Sequence, residues 1–153
     1  MLYSFDTSAF VNPWRKYYPP DVFPSFWEHL NVLILNEEIV ATDEVLVELE
    51  RKDDEVHRWV SDRSRMFISL DGDIQQAAAS ILNQHPRLID NCRNRSQADP
   101  FVITVALVHD ITVVTYETHS NSSNRPHIPD VCDALGIRVI NVLDVIREQG
   151  LRL

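Results

Sequence analysis

Short apolar runs rich in β-branched residues alternate with helix-patterned segments along the whole chain. We predict strands at residues 2–5, 39–41, 66–70, 111–115 and 138–142. Parallel strands need long crossover connections, and the intervening segments have the length and the pattern of helices. The order therefore predicts an α/β fold, in which a mainly parallel central sheet carries helices on both faces.

Six helices are expected between and after these strands. They begin at Asp21 or Pro24, at Thr42 or Asp43, and then at Gly72, Asp99, Pro129 and Leu143. We expect the second to be one continuous helix that reaches Trp59. We expect the fourth to turn Phe101, Val105 and Val108 towards the core.

Composition limits the class of protein. The 153 residues are 44% hydrophobic and 24% charged, which predicts one globular domain over residues 1–153. Two cysteines are too few for a disulfide scaffold, and we recognise neither a signal peptide nor a membrane-spanning run, so we expect a cytoplasmic protein. At a net charge of −9, nucleic-acid binding would need a local arginine patch or metal ions.

Four acidic residues from distant parts of the chain are candidates for one site. Asp6 directly follows the first predicted strand, and Glu117 closely follows the fourth. Asp99 lies at a helix start, and Glu48 lies beside the apolar stripe of its helix. Because ligands of open parallel sheets bind beyond the carboxyl ends of the strands, we expect these four acids to converge there.

Converging carboxylates repel one another unless a cation or protons offset their charge. Oxygen-rich ligand sets suit Mg²⁺ or Mn²⁺, and such ions can activate water for phosphodiester hydrolysis without a nucleophilic side chain. Each acid also has a purely structural interpretation. Asp99 could cap its helix before Pro100, Glu48 could lie on a solvated helix face, and Glu117 could be ordinary loop surface.

The order of four short motifs resembles the PIN-domain family of metal-dependent ribonucleases. An apolar strand runs into DTS at 6–8, and a helical glutamate follows in VLVEL at 45–49. The motifs continue with ADPFVITVA at 98–106 and end with VVTYE at 113–117. The segment IPDVCDALGI at 128–137 resembles a mostly uncharacterised PIN-like subgroup. The resemblance covers essentially the whole chain.

This resemblance implies a three-layer α/β/α sandwich, PIN-like and Rossmann-like, with an acidic pocket that holds Mg²⁺ or Mn²⁺. It implies that Asp6, Glu48, Asp99 and Glu117 are catalytic ligands or water-orienting groups. It also implies supporting hydrogen bonds from Ser8 and Thr115. Many small members are toxins of toxin–antitoxin pairs, such as the VapC-type toxins, which cleave RNA, bind an antitoxin and form dimers.

The chain departs from the family pattern at the fourth acid, which is usually aspartate and here is Glu117. The longer side chain could still reach an ion. Asp130, at the start of the next helix, could share or take that role.

An acidic protein that cleaves RNA must still hold its substrate. The best patch is Arg87, Arg93 and Arg95, just before Asp99, because arginine suits bidentate phosphate contacts. A solvated loop is the alternative. Aromatic residues also cluster early in the chain, where we favour core or dimer-interface packing over base stacking: Trp14, Tyr17, Tyr18, Phe23 and Trp27.

The sequence therefore predicts a Mg²⁺- or Mn²⁺-dependent endoribonuclease, the toxin of a toxin–antitoxin pair, with RNA as substrate and an antitoxin and a second copy as partners. One alternative is an RNA-processing nuclease with no antitoxin. Another is a PIN-like RNA- or protein-binding module without turnover. A haloacid-dehalogenase-type phosphatase is disfavoured, because Ser8 stands where that chemistry needs aspartate.

Overall fold

The computed structural model describes residues 1–87, 99–121, 124 and 126–153, except for the side chain of Asp99. The five strands within these residues form one sheet in the order β3-β2-β1-β4-β5. Every pair of neighbouring strands is parallel. The strands are β1 (Tyr3–Phe5), β2 (Ile39–Thr42), β3 (Phe67–Ile68), β4 (Thr112–Val114) and β5 (Val139–Ile140).

Eight α-helices lie in the described part of the chain. They are α1 (Ser8–Asn12), α2 (Pro24–Leu35), α3 (Asp43–Lys52), α4 (Asp54–Ser61), α5 (Gly72–Gln84), α6 (Asp99–His109), α7 (Ile128–Leu135) and α8 (Val142–Glu148). A π-helical turn, Pro13–Tyr17, continues α1, and a 3₁₀ turn, Ser64–Met66, precedes β3.

The sheet lies between two layers of helices. Parallel strands joined by right-handed crossovers place the helices before β3 on one face and α5 to α7 on the other. Side chains of β1 alternate accordingly, because Phe5 packs on Phe10 of α1 while the Ser4 hydroxyl donates to the Val102 carbonyl of α6 at 3.0 Å. The predicted three-layer α/β/α fold with a parallel sheet is confirmed.

After β3 the chain crosses back over the sheet to form β4 on the other side of β1. Strands β2 and β3 thus lie on one side of β1, and β4 and β5 lie on the other, so the switch point falls between β1 and β4. Such a switch point leaves a crevice at the carboxyl ends of the two central strands, and this is where ligands bind in open α/β sheets. Asp6 and Thr115 are the residues that follow those two strand ends.

The single helix predicted from residue 42 or 43 to Trp59 is wrong, because the structure has two helices there. Asp53 is extended, and its carboxylate accepts hydrogen bonds from the backbone N–H groups of Glu55 and Val56 at 3.1 and 3.2 Å. Arg15 also pairs with that carboxylate at 2.6 Å. Asp53 therefore caps α4, and its local hydrogen bonds replace the continuous helix.

The inward face predicted for α6 is only partly right. Val105 is fully buried, but Phe101 is half-buried and Val108 is 45% exposed. The buried side chains nearby include Val102 and Ile103. A helix packed on the sheet and also against α5 and α7 is covered on several sides, so its buried residues do not follow one stripe.

Candidate active site

Asp6 lies at the switch point of the sheet. Its backbone N–H donates to the Val114 carbonyl at 3.0 Å, which continues the pairing of β1 with β4 by one residue. The side chain is almost completely buried, with 3% of its surface exposed. The strand ends therefore hold an acidic side chain out of water, at the edge where the sequence predicted it.

The two oxygens of the Asp6 carboxylate have different surroundings. Oδ2 accepts hydrogen bonds from the Ser8 hydroxyl at 2.6 Å, the Thr115 hydroxyl at 3.0 Å and the Ser8 backbone N–H at 3.3 Å. Oδ1 is buried and has no hydrogen-bond partner among the described residues. A buried charged oxygen without a partner is costly, and in native proteins it usually marks a place where an ion or water binds.

Ser8 and Thr115 are themselves fixed by further hydrogen bonds. The Tyr116 backbone N–H donates to Ser8 Oγ at 2.9 Å, and the Glu117 backbone N–H donates to Thr115 Oγ1 at 3.0 Å. The two hydroxyl oxygens lie 3.2 Å apart. The predicted supporting residues Ser8 and Thr115 are thus brought into direct contact with Asp6, and their network holds its carboxylate in one orientation.

Glu48 of α3 reaches the same region through Thr7. The Thr7 hydroxyl donates to Glu48 Oε2 at 2.8 Å, and Lys52, one turn along α3, pairs with Glu48 Oε1 at 2.5 Å. Glu48 is 9% exposed, so this ion pair holds a buried carboxylate rather than a solvated one. The interpretation of Glu48 as part of a solvated helix face does not fit its position.

Glu117 lies in the loop after β4. Its Oε2 accepts a hydrogen bond from the Ile128 backbone N–H at 2.9 Å, at the first turn of α7, where a carboxylate is favoured. Within the described residues no hydrogen bond joins Glu117 to Asp6. Its charge is nevertheless close enough to act on the Asp6 carboxyl. We call Asp6, Glu48 and Glu117 the acid cluster.

The ionisation of Asp6 reflects this environment. Burial, and then the charges of Glu117 and Glu48, raise the pKa of Asp6 to about 6, against the hydrogen bonds from Ser8 and Thr115. Burial and the neighbouring charges therefore destabilise the ionised carboxyl more than the two hydroxyl hydrogen bonds stabilise it. A cation beside Oδ1 would remove that penalty.

Asp130 is held in a different arrangement from the acid cluster. Its Oδ2 accepts hydrogen bonds from the His127 and Ser120 backbone N–H groups at 2.7 and 3.1 Å. Burial raises the pKa of Asp130, but these backbone hydrogen bonds outweigh burial and hold its pKa below the usual value. Asp130 thereby ties Ser120 and His127 to the start of α7, whereas the charges that act on Asp6 are those of Glu117 and Glu48.

Several predicted residues cannot be placed in the site. Arg93, Arg95 and the side chain of Asp99 lie outside the described part of the chain. Arg87 is exposed and donates a hydrogen bond to the Asn124 side chain. It lines a cavity of about 540 Å³ together with His85, Asn121, Asp130 and others, and that cavity is separate from the hydroxyl network around Asp6.

The donor atoms of the acid cluster suit a hard divalent cation. They are carboxylate oxygens, with the hydroxyls of Ser8 and Thr115 beside them, and one of them, Asp6 Oδ1, has no hydrogen-bond partner among the residues that the structure describes. Among the described side chains, however, no three His, Cys, Asp or Glu groups already lie close enough together to form a metal site. The chemistry of the residues fits the ion, although the described His, Cys, Asp and Glu side chains do not by themselves form a group of three around one point.

Sequence reasoning missed residues that support the site. Thr7 orients Glu48, Lys52 neutralises it, and the Tyr116 backbone fixes Ser8. Thr42, at the end of neighbouring β2, has a buried hydroxyl with no partner among the described residues. The run DTS at 6–8 and the i, i+4 spacing of Glu48 and Lys52 were available signals, whereas the positions of Thr42 and Tyr116 depend on strand pairing.

The fold and the site define an α/β/α protein with buried acidic side chains at the switch point of a parallel sheet. The chain matches the family described as "Domain of unknown function (DUF4411)" over residues 3–153, and it belongs to that family. No curated protein matches it. None of the helices in the described ranges combines the length and the hydropathy that crossing a bilayer requires.

Proposed function

We propose that this protein is a Mg²⁺- or Mn²⁺-dependent endoribonuclease of PIN-like type. The observation that carries the proposal is the buried Asp6 carboxylate, with one oxygen held by three hydrogen bonds and the other without a partner in the part of the chain that the structure describes. A protein gains nothing in stability from such a group, and groups of this kind occur where a site is built for chemistry.

The proposed roles follow from the contacts of each residue. Asp6, Glu48 and Glu117, with Asp99, would hold the cation. When bound, the cation would supply an activated water and offset the negative charge that develops on a phosphodiester. Ser8 and Thr115 keep the Asp6 carboxylate in a fixed orientation, so that Oδ1 is available for the ion and Oδ2 is not.

Holding RNA on a chain of net charge −9 calls for local cationic contacts. We assign this role to Arg87, Arg93 and Arg95. Exposed Arg87 carries a guanidinium that can hydrogen-bond two phosphate oxygens at once. The cation at the acid cluster would remove the remaining repulsion between the cluster and the scissile phosphate.

More specifically, we propose that the protein is a toxin that acts in the cytoplasm, is inhibited by an antitoxin and forms a homodimer. It is supported by the resemblance in motif order. A short reading frame beside the gene, with a product that binds this chain and blocks RNA cleavage, would establish it. If no such product exists and RNA cleavage is still observed, the RNA-processing alternative holds.

The proposed activity is tested by metal-dependent cleavage. Purified protein should cut single-stranded RNA when Mn²⁺ or Mg²⁺ is added, and an excess of chelator should stop the reaction. Ca²⁺, a hard cation with longer ligand distances, is the matched control and should support much slower cleavage. Cleavage that continues unchanged in chelator would contradict the proposal.

The binding-module alternative is favoured by one observation, the Lys52–Glu48 ion pair. A lysine already offsets one negative charge of the cluster, and a site whose repulsion is lowered in this way could bind RNA or protein with no metal. In that case RNA binding would be indifferent to chelator, and no cleavage would be seen with any divalent cation.

A further inference from the structure

A pair of stacked tyrosines lies next to the acid cluster. Tyr17, the last residue of the π-helical turn, stacks on Tyr116 with ring centroids 5.1 Å apart and an interplanar angle of 12°. Tyr116 is partly buried and packs against the hydrophobic core. Tyr17 is 50% exposed, although Tyr116 covers one face of its ring. The pair is therefore an aromatic platform with an anchored inner ring and an accessible outer ring.

The platform is tied to the candidate active site by a short chain of hydrogen bonds. The Tyr116 backbone N–H donates to Ser8 Oγ at 2.9 Å, and Ser8 Oγ donates to Asp6 Oδ2 at 2.6 Å. The π-helical turn that carries Tyr17 continues α1, which begins at Ser8. Ser8 thus holds both the Tyr116 backbone and the Asp6 carboxylate, and Tyr17 lies at the far end of the helical segment that begins at Ser8.

Tyr17 differs from the other aromatic residues of the early cluster. Trp14, Tyr18, Phe23 and Trp27 all pack in or against the core, as the packing interpretation expected. Half of Tyr17 remains in water, so packing does not account for it. Its neighbour in sequence, Lys16, is also exposed and is one of only two lysines in the chain. Proteins that bind single-stranded nucleic acids combine exposed aromatic rings, which stack on bases, with nearby cations, which contact phosphates.

We propose that the Tyr17–Tyr116 platform stacks against a nucleobase of a single-stranded RNA that is bound across the acid cluster, with Lys16 beside the adjacent phosphate. This inference rests on the proposed function for the identity of the ligand. Stacking on an anchored ring holds a base without reading its sequence, because every base has a π face. The platform would fix the position of the phosphodiester relative to Asp6.

The test measures binding in an Asp6→Asn background, which prevents the proposed cleavage and leaves both rings in place. The probes are a short fluorescent oligo(A) RNA and a matched strand with abasic sites in place of the bases. Tyr17→Ala should weaken oligo(A) binding about tenfold and leave abasic-strand binding unchanged. Tyr17→Phe keeps the ring and should bind like the parent, and Val22→Ala, at another exposed apolar residue, is the surface control.

The outcomes separate the platform from the nuclease. If Tyr17→Ala weakens both strands equally or neither strand, the platform is wrong, even if the wild type cleaves RNA with Mn²⁺. If the base-dependent loss is seen but the wild type cleaves no RNA, the platform stands and the nuclease proposal fails. If Tyr17→Ala instead dissociates an oligomer and oligo(A) does not bind, the ring serves a protein interface and the inference is overturned.

Discussion

Asp6→Asn is expected to stabilise the folded protein at about pH 8, by up to about 3 kcal/mol. Burial and the charges of Glu117 and Glu48 penalise the ionised Asp6 carboxyl in the folded state. The unfolded chain carries no such penalty. Asparagine has nearly the same shape and can still accept the hydrogen bonds of Ser8 and Thr115, but it has no charge to bury.

The stability difference between Asp6→Asn and the wild type depends on pH. The pKa of Asp6 is raised from 3.8 to about 6 on folding, so the folded protein binds this proton more tightly than the unfolded chain. As pH rises from about 4 to about 6, the wild type therefore loses stability through this group. Below about pH 4 the contribution is fully present, and above about pH 6 it is lost.

Urea unfolding of the wild type and Asp6→Asn across this range measures the effect in metal-free buffer. The two stabilities should converge near pH 4 and differ most above pH 6. Asp21→Asn, at an exposed aspartate, should change stability by less than about 0.5 kcal/mol at every pH. An Asp6→Asn protein that is less stable than the wild type at pH 8 would show that the carboxylate is well compensated in the fold.

The same substitution should lower metal-dependent RNA cleavage by at least about a thousandfold. An amide cannot supply the negative charge that a hard cation needs, and a divalent ion contributes several kcal/mol to phosphodiester hydrolysis. Initial rates in saturating Mn²⁺ compare wild type and Asp6→Asn, with Asp21→Asn as the charge-matched control. Retention of cleavage within tenfold of wild type would remove Asp6 from the reaction and indicate another active centre.

Asp6→Asn is thus expected to raise the stability of the folded protein and to lower its RNA cleavage. A residue that lowers stability and is indispensable for turnover is characteristic of a functional site, because selection retains it against its cost to folding. A purely structural aspartate would behave in the opposite way. Its replacement would lower stability and would affect activity only through unfolding.

Much of the fold and part of the site follow from sequence, because the rules involved are local. Alternating strands and helices dictate a parallel sheet, and parallel strands all end at one edge. Asp6 directly follows the first predicted strand and Thr115 is the last residue of the fourth, so their meeting at one edge of the sheet could be predicted, and the family resemblance added Ser8. The end of α7 also follows a local rule, because Gly136, with φ of 70°, takes the left-handed conformation that commonly follows the last residue of a helix.

Other features depend on contacts that the sequence does not display. In the sequence, Asp53 has the pattern of a polar residue on a helix face. The helix break there is shown only by contacts in the fold, namely the hydrogen bonds from the Glu55 and Val56 backbone and the ion pair with Arg15. The Tyr17–Tyr116 stack joins residues 99 positions apart, and it forms because β4 lies next to β1. Strand order is set by long-range packing, which a local pattern does not specify.

The central claim is that buried Asp6 is kept for a divalent cation. Calorimetric titration of Mn²⁺ into the wild type and Asp6→Asn at about pH 7.5 tests it without RNA. We predict saturable binding by the wild type and at least tenfold weaker binding by Asp6→Asn, since removing a charged ligand costs more than about 1.4 kcal/mol. Equal Mn²⁺ affinity for the two proteins, or no binding by either, would contradict the claim.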